Sequence, residues 1–459
     1  METEKTTDAV ERLRAYFSAG KTKPIPWRQA QLDALLAMIE ERGRDIADAL
    51  EADLGKAAAE SYLTEIDFTK AEIKHLRRHL SSWTRPKRTH TPSYLRPARS
   101  YTLLEPLGTV TVIGPFNYPF QLVLCPVAGA LAAGNTVIVK PSEHSPATAE
   151  LVEQLLVEYL DEEAVAVVQG GVEETSELLA QRVDHIFFTG SSRVGKIVAK
   201  AAAENLTGYT LELGGKSPAI VEPGSDLKAA ANRIVWGKFT NAGQTCIAPD
   251  YVLAVGGCEE ELTEELGEAV RRMFGNSPAE SPDYGRIVNT DSFDRLARYL
   301  DDGKAAVGGG RNRDRLYIAP TVLTDVSVDS PVMREEIFGP ILPVVPVETL
   351  EDAVGFVNRG EKPLSLYGFC ASESSKRKLL TRTSSGAVGF GIPLAHCGVP
   401  GLPFGGVGHS GQGSYHGKYS LEAFSHRKSV LDKPLMPDTM AFVYAPWTSF
   451  KQKVMRKLM

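Results

Sequence analysis

Apolar residues recur at helical spacing over 28–54, where Leu32, Leu35, Leu36, Ile39, Ile46 and Leu50 share one face and Gly55 supplies a stop. A second amphipathic stretch, SYLTEIDFTKAEIKHLRRHLSSW, predicts another helix. From 109 the period changes: TVTVIG and NTVIVKP read as short buried strands flanking a small-residue helix, CPVAGALAAG. Ser145 and Pro146 read as the N-cap and first residue of a helix with Leu151, Val152, Leu155, Leu156, Tyr159 and Leu160 on one face. AVAVVQGG, a further helix and HIFFTG complete a β-α-β-α-β series. Such alternation predicts an α/β fold with a parallel sheet covered by helices on both faces.

A second α/β alternation follows residue 213, with strands at YVLAV, ILPVVPV, LSLYGFC and GAVGF and helices near 259–274, 290–301, 349–358 and 373–383. No phosphate-loop signature opens this half, so two α/β domains with different tasks are expected. TRPKRTHTPSYLRPARSY (84–101), rich in proline and basic residues, reads as a crossing connection. From Gly386 to Gly417, 11 of 32 residues are glycine, too many for regular elements and suited to loops that close on a site.

The stretch from Pro106 to Val139 carries no charge and could be taken for a membrane span. Gly108, Gly114, Pro115, Asn117, Pro119 and Pro126 interrupt it, and irregular backbone is not tolerated in hydrocarbon, so buried strand, loop and helix are expected instead. The opening METEKTTDAVERLRAYF lacks the basic start and apolar core of a secretory signal. Among 459 residues, 51 Lys and Arg face 57 Asp and Glu, a net charge of −6 that argues against a nucleic-acid partner. Five cysteines at 125, 246, 258, 370 and 397 form no disulfide pattern, which fits a reducing, cytoplasmic compartment.

Candidate chemistry collects at strand ends. In HIFFTGSSRVGKIVAKAA, Thr189 and Gly190 end a strand, and Val194-Gly195 open a helix whose N-terminus could receive a pyrophosphate, although G-x-G-x-x-G is absent. A plain strand–helix turn is the alternative. Lys140, closing the strand in VIVKPSE, could hold ribose hydroxyls together with Glu143, or the two could be an ordinary surface pair. Cys246 lies in a polar turn, GQTCIAPD, after the helical KFTNA; free cysteines are more often inert packing than nucleophiles. Glu212 in LELGGKSP is a carboxylate at an apolar strand end, expensive there unless it has a task. Asn117 in GPFNYPF is an amide able to donate to a developing oxyanion. His75 and His79, one helical turn apart, lack a third metal ligand. His396 and Cys397 read as a packed loop, with a thiolate pair as the alternative, and the basic amphipathic end KQKVMRKLM as a cap or a surface that packs on a partner, with membrane-surface association as the alternative.

Taken together these motifs resemble the aldehyde dehydrogenase superfamily and, more narrowly, its class 3-like branch, over nearly the whole chain. The points of resemblance are GPFNYPF, VIVKPSE, FTGSSRVGK, LELGGKSP, GQTC, PVMREEIFGPILPV and LPFGGVGHSGQGSYHGKYSLEAFSHRKSVL. The resemblance implies a Rossmann-type cofactor domain (1–85 and 107–212), a catalytic domain (213–397), a bridging and dimerising element (86–106 and 398–430) and a tail (431–459). It implies that Cys246 is the nucleophile, Glu212 the general base and Asn117 an oxyanion donor beside the Cys246 backbone N–H. Lys140 and Glu143 would meet the adenosine ribose, while Thr189, Gly190, Ser191 and Gly195 would line the phosphate loop. Glu336 would hold the nicotinamide ribose and Phe338 would pack beside its ring. The cofactor would be NAD, with NADP left open, the substrate an aldehyde, and the chemistry calls for no metal. One departure stands out: Gly391, Ile392 and Pro393 replace the polar residues usual before the substrate-side histidine. A cofactor-free thioester hydrolase and a non-catalytic protein of the same fold are the competing readings: the first needs neither the dinucleotide loop nor EEIFGP, and the second has no chemical reason to keep Asn117, Glu212, Cys246 and Glu336 together.

Overall fold

The computed structural model describes residues 6–441 and 443–458; the first five residues, at the start of the expected cofactor domain, and 442 and 459, within the expected tail, lie outside them. A six-stranded sheet holds Thr109–Ile113, Thr136–Lys140, Val165–Val167, His185–Thr189 and Gly208–Glu212 in parallel, with Gly411–Gln412 added antiparallel at one edge. The first of these strands lies mid-sheet. The second and third extend to one side and the fourth and fifth to the other, so the winding reverses between Thr109–Ile113 and His185–Thr189. In open α/β sheets a ligand crevice forms outside the strand carboxyl ends at such a reversal.

The uncharged stretch is core. Its helix, Gln121–Ala133, is buried at every residue and packs against the helices Ile25–Leu54, Asp67–Trp83 and Lys418–Ala423. No helix among the described residues is long and apolar enough to cross a membrane. Ser145 is the N-cap before Pro146, yet the orphan N–H groups of that helix go elsewhere: the Asp53 carboxylate accepts from Ala147 N at 3.0 Å and Thr148 N at 2.8 Å. The long helical pattern over 61–83 contains a π-turn, Tyr62–Ile66, before the α-helix Asp67–Trp83.

The second sheet has seven strands: Lys304–Val307, Thr321–Thr324, Ile341–Val347, Tyr251–Val255, Pro218–Val221, Ser365–Phe369 and Ala387–Phe390 in spatial order, parallel except for the first. The four strands expected from sequence are present. The fully buried Pro218–Val221, the largely buried Thr321–Thr324 and the exposed edge strand Lys304–Val307, each four residues long, were not expected. The expected connection at 84–101 is itself partly strand. Lys87–Thr89 and Arg99–Pro106 pair antiparallel, and Ser425–Asp432 continues that small sheet from Ser425↔Pro106 to Asp432↔Arg99.

Candidate active site

Lys140, Thr189 and Glu212 each close a parallel strand of the first sheet, so all three stand on its carboxyl edge. Lys140 is 1 % exposed; its ammonium donates to Pro141 O at 2.8 Å and to Glu143 Oε2 at 3.4 Å. Glu143 projects into solvent. Beyond the next strand end, Ser191 caps the helix Ser192–Glu204, its Oγ accepting from Val194 N at 3.4 Å. Gly195 lets that helix lie against the sheet: a Cβ there would stand 2.8 Å from Leu213 Cδ2. Thr189 Oγ1 is buried and has no partner among the described residues. A buried unpaired hydroxyl, a capped helix N-terminus and a lysine–glutamate pair on one sheet edge suit a dinucleotide's hydroxyls and phosphates. The residues present fit NAD(P).

The cysteine turn differs from the expected helical KFTNA. The helix Leu227–Phe239 stops at Phe239, and Asn241 (φ 53°) and Ala242 (φ 49°) adopt left-handed backbone, a conformation that costs non-glycine residues about 1–2 kcal/mol each. Asn241 is tied down by its side chain, whose Nδ2 donates to Asn117 O at 2.7 Å and to Gln244 O at 3.2 Å. Gly243 follows at φ +76°, with Gly339 O only 2.2 Å from where a Cβ would be. These contacts turn the chain so that Cys246 emerges half-buried. Its neighbours are pinned by two tyrosines that sequence reasoning did not single out. Tyr118 Oη lies 2.6 Å from Thr245 Oγ1, and Tyr367 Oη donates to Ile247 O at 2.6 Å. Asn117 Nδ2 donates one N–H to Gln244 O at 2.9 Å, which leaves its second N–H for another acceptor.

Electrostatics join Cys246 to residues from two other motifs. Burial raises its thiol pKa first; the negative charges of Glu336 and Glu212, and then Cys397, raise it further. Glu212 is 2 % exposed, neither carboxylate oxygen has a partner among the described residues, and burial pushes its pKa well up. Glu336 is pushed up to about 8, by burial and then by Asp250, against an opposing hydrogen bond from the Gly215 backbone N–H. The glycines after Glu212 follow from this packing: a Cβ on Gly214 would lie 2.1 Å from Glu336 Oε2. Removing the charge in Glu336→Gln should therefore lower the Cys246 pKa. Alkylation rate against pH, mapped to the Cys246 peptide, checks this; an unmoved midpoint would contradict the coupling.

Lys216 and Asp250, also not singled out from sequence, fasten the Glu336 loop. Lys216 Nζ donates to Asp250 Oδ2 at 2.5 Å, Val332 O at 2.9 Å and Glu335 O at 2.8 Å, while Asp250 Oδ1 accepts from Ile337 N at 3.1 Å. The signal was present, because LELGGKSP and GQTCIAPD each carry one half of this pair. Phe338 (φ 50°) sets its ring edge-on to Phe116, centroids 5.7 Å apart. The loop at 391–393, where the sequence departs from the class 3-like pattern, is tied to the helix Leu227–Phe239. Gly391 O accepts from Arg233 Nη1 at 2.6 Å, and Pro393 packs where a Cβ on Gly237 would come within 2.6 Å. Leu394 N donates to Tyr367 Oη at 3.4 Å. His396 turns towards Ser365 Oγ (3.3 Å) and stacks on Phe404, whereas His75 and His79 pack ring against ring 4.4 Å apart.

A doubly wound sheet whose carboxyl edge suits a dinucleotide, facing a cysteine turn, defines a nicotinamide-dependent oxidoreductase. The sequence model of the aldehyde dehydrogenase family matches residues 1–430. The dimeric NADP-preferring aldehyde dehydrogenase of Canis lupus familiaris is 44 % identical over 434 residues, 95 % of this chain and 96 % of that protein. The 4,4'-diaponeurosporen-aldehyde dehydrogenase of Staphylococcus aureus is 47 % identical over 422 residues, 92 % of each chain. The substrate-bound Staphylococcus aureus AldH superposes with a TM-score of 0.96 at 44 % identity over 99 % of both chains. An aldehyde dehydrogenase of Mycobacterium tuberculosis complexed with NAD+ gives 0.85 at 30 % identity over 94 % of this chain and 91 % of that one. The chain belongs to the aldehyde dehydrogenase family and oxidises aldehydes to carboxylic acids with NAD or NADP.

Proposed function

We propose that Cys246 is the nucleophile of this oxidation, Glu212 the general base toward water, and Asn117 a donor to the oxyanion. One observation carries the reading: the Cys246 thiol lies in the field of Glu336 and Glu212, while the Asn117 amide is bonded to the carbonyl two residues before it. An aldehyde has no leaving group but hydride, so a tetrahedral adduct must form first. Cys246 releases its proton to solvent water, and the thiolate sulfur bonds to the carbonyl carbon as the C=O pair moves onto oxygen. The free N–H of Asn117 and the Cys246 backbone N–H meet the oxygen as it becomes negative. A dinucleotide held by the residues named below would supply the acceptor for the departing hydride. Collapse of the oxyanion leaves a thioester on Cys246. Glu212, whose carboxylate oxygens have no hydrogen-bond partner among the described residues, then takes a proton from water as the water oxygen attacks that carbon and the C–S bond breaks. Lys140 and Glu143 would hold the adenosine ribose. Thr189, Gly190, Ser191 and Gly195 would hold the phosphates, with Glu336 on the nicotinamide ribose and Phe338 beside its ring.

The same reading assigns 1–85 with 107–212 to cofactor binding, 213–397 to catalysis, 86–106 with 398–430 to a bridging element, and 431–459 to a tail. The names of the dog, rat and mouse relatives support a homodimer, and the absence of a disulfide pattern supports a cytoplasmic setting. Those same relatives are named NADP-preferring, yet Glu143 would stand against a ribose 2′-phosphate, which favours NAD here. Glu143→Gln should raise the NADP:NAD ratio of kcat/KM by about tenfold; an unchanged ratio would remove Glu143 from the ribose site. The activity itself is tested by reduced-nicotinamide absorbance with benzaldehyde or hexanal. A rise is expected with at least one cofactor, and none with either despite bound cofactor would oppose the reading.

A further inference from the structure

Next to the candidate site lies a buried ion pair that the reaction does not use. Lys56 and Glu65, from the turn after the long N-terminal helix and from the π-turn Tyr62–Ile66, are each 0 % exposed and meet at 2.5 Å. Two charges taken this far from water are costly unless further hydrogen bonds satisfy them. Both find those bonds on one short segment. Lys56 Nζ donates to Asn117 O at 3.3 Å and stands 4.3 Å from the centre of the Tyr118 ring. Glu65 Oε2 accepts from Phe120 N at 3.0 Å and Gln121 N at 3.2 Å. The carboxylate thereby takes orphan donors at the start of the buried helix Gln121–Ala133, where helix polarity also favours a negative charge. The cation grips one end of the Asn117–Gln121 segment and the anion the other. No further protein hydrogen bond reaches the Asn117 carbonyl except that of Asn241 Nδ2, among the described residues.

We infer that Lys56 and Glu65 are positioning residues for the oxidation: their ion pair clamps residues 117–121 so that the free N–H of Asn117 points to where the oxyanion forms. Neither touches the reacting atoms. The inference rests on the proposed role of Asn117, and it explains why an ion pair, not an apolar contact, fills this place. A carbonyl and two N–H groups must be held at once, and only a linked donor and acceptor can do both.

A double-mutant cycle tests it, using Glu65→Gln, Asn117→Ala and the combination in the full chain. Glu65→Gln should lower kcat/KM for benzaldehyde by about 10- to 100-fold, less than loss of the donor itself, with the KM for NAD within about twofold of the parent. In the Asn117→Ala background the same substitution should change the rate by less than about twofold, because the group it positions is already gone. The clamp is overturned if Glu65→Gln leaves the rate intact, or if it slows both backgrounds by the same factor. Asn117→Ala at the parental rate would instead overturn the underlying role of Asn117, and the two failures are distinct. Should Glu65→Gln leave an unpaired lysine that prevents folding, Lys56→Met/Glu65→Leu removes both charges at similar volume and completes the same cycle.

Discussion

Cys246→Ala is expected to lower aldehyde oxidation by a factor on the order of 10⁴ to 10⁶, to the limit of detection. Without the sulfur no adduct forms, and the carbonyl carbon retains a hydrogen that cannot leave as hydride. Three of the other four cysteines do not compensate: Cys125 and Cys258 are buried, and Cys370 lies at the end of a strand of the second sheet. Cys397 adjoins the site electrostatically but sits in the short Ala395–Gly398 turn, a different segment from the turn at 244–246 to which the Asn117 amide is bonded. The turn should survive the substitution, since Tyr118 on Thr245 and Tyr367 on Ile247 hold it from both sides of position 246. Cofactor affinity should be nearly unchanged, because Lys140, Glu143, Thr189 and Ser191 lie on other segments. Steady-state absorbance together with a cofactor titration checks this. Turnover retained within a factor of ten would remove Cys246 as nucleophile.

Glu212→Gln is expected to leave the first half of the reaction and stop the second. The amide matches the carboxylate in shape, and no hydrogen bond of Glu212 among the described residues is lost with it. One equivalent of reduced cofactor should appear in a burst, after which turnover should fall about 10²- to 10⁴-fold because nothing takes the proton from water. The sign of the pH dependence follows from burial. Glu212, its pKa pushed well above the ordinary carboxylate value, must be ionised to act as base, so parental thioester hydrolysis should rise with pH through that raised pKa. The Gln variant should lose that rise. Rapid-mixing absorbance across pH measures both; absence of the burst would assign Glu212 to the earlier steps.

Much of this site was readable in the sequence because its parts are local. VIVKP, HIFFTG and LELGG each mark a strand that ends in a polar or glycine residue, and α/β alternation puts such ends on one edge. What could not be read was contact between segments. Tyr118 with Thr245, Tyr367 with Ile247, and Lys216 with Asp250 join residues from separate motifs, and no periodicity records such a pairing. The turn before Cys246 misled for a different reason: Asn241 and Ala242 carry none of the glycine that normally announces left-handed backbone, and KFTNA continues the helical pattern of the residues before it. Pro218–Val221 opens on a proline and Thr321–Thr324 directly follows Pro320, and proline ordinarily reads as a turn or a break in a strand. The π-turn at Tyr62–Ile66, inside a run that reads as continuous helix, is equally silent, yet it carries Glu65.

The central claim is that oxidation passes through an acyl group on Cys246. Glu212→Gln protein given benzaldehyde and NAD, quenched during the burst and digested, tests it by mass spectrometry. The account predicts a benzoyl adduct on the Cys246 peptide in proportion to the reduced cofactor formed. A full burst with that peptide unmodified, or with the acyl group on another residue, would contradict it.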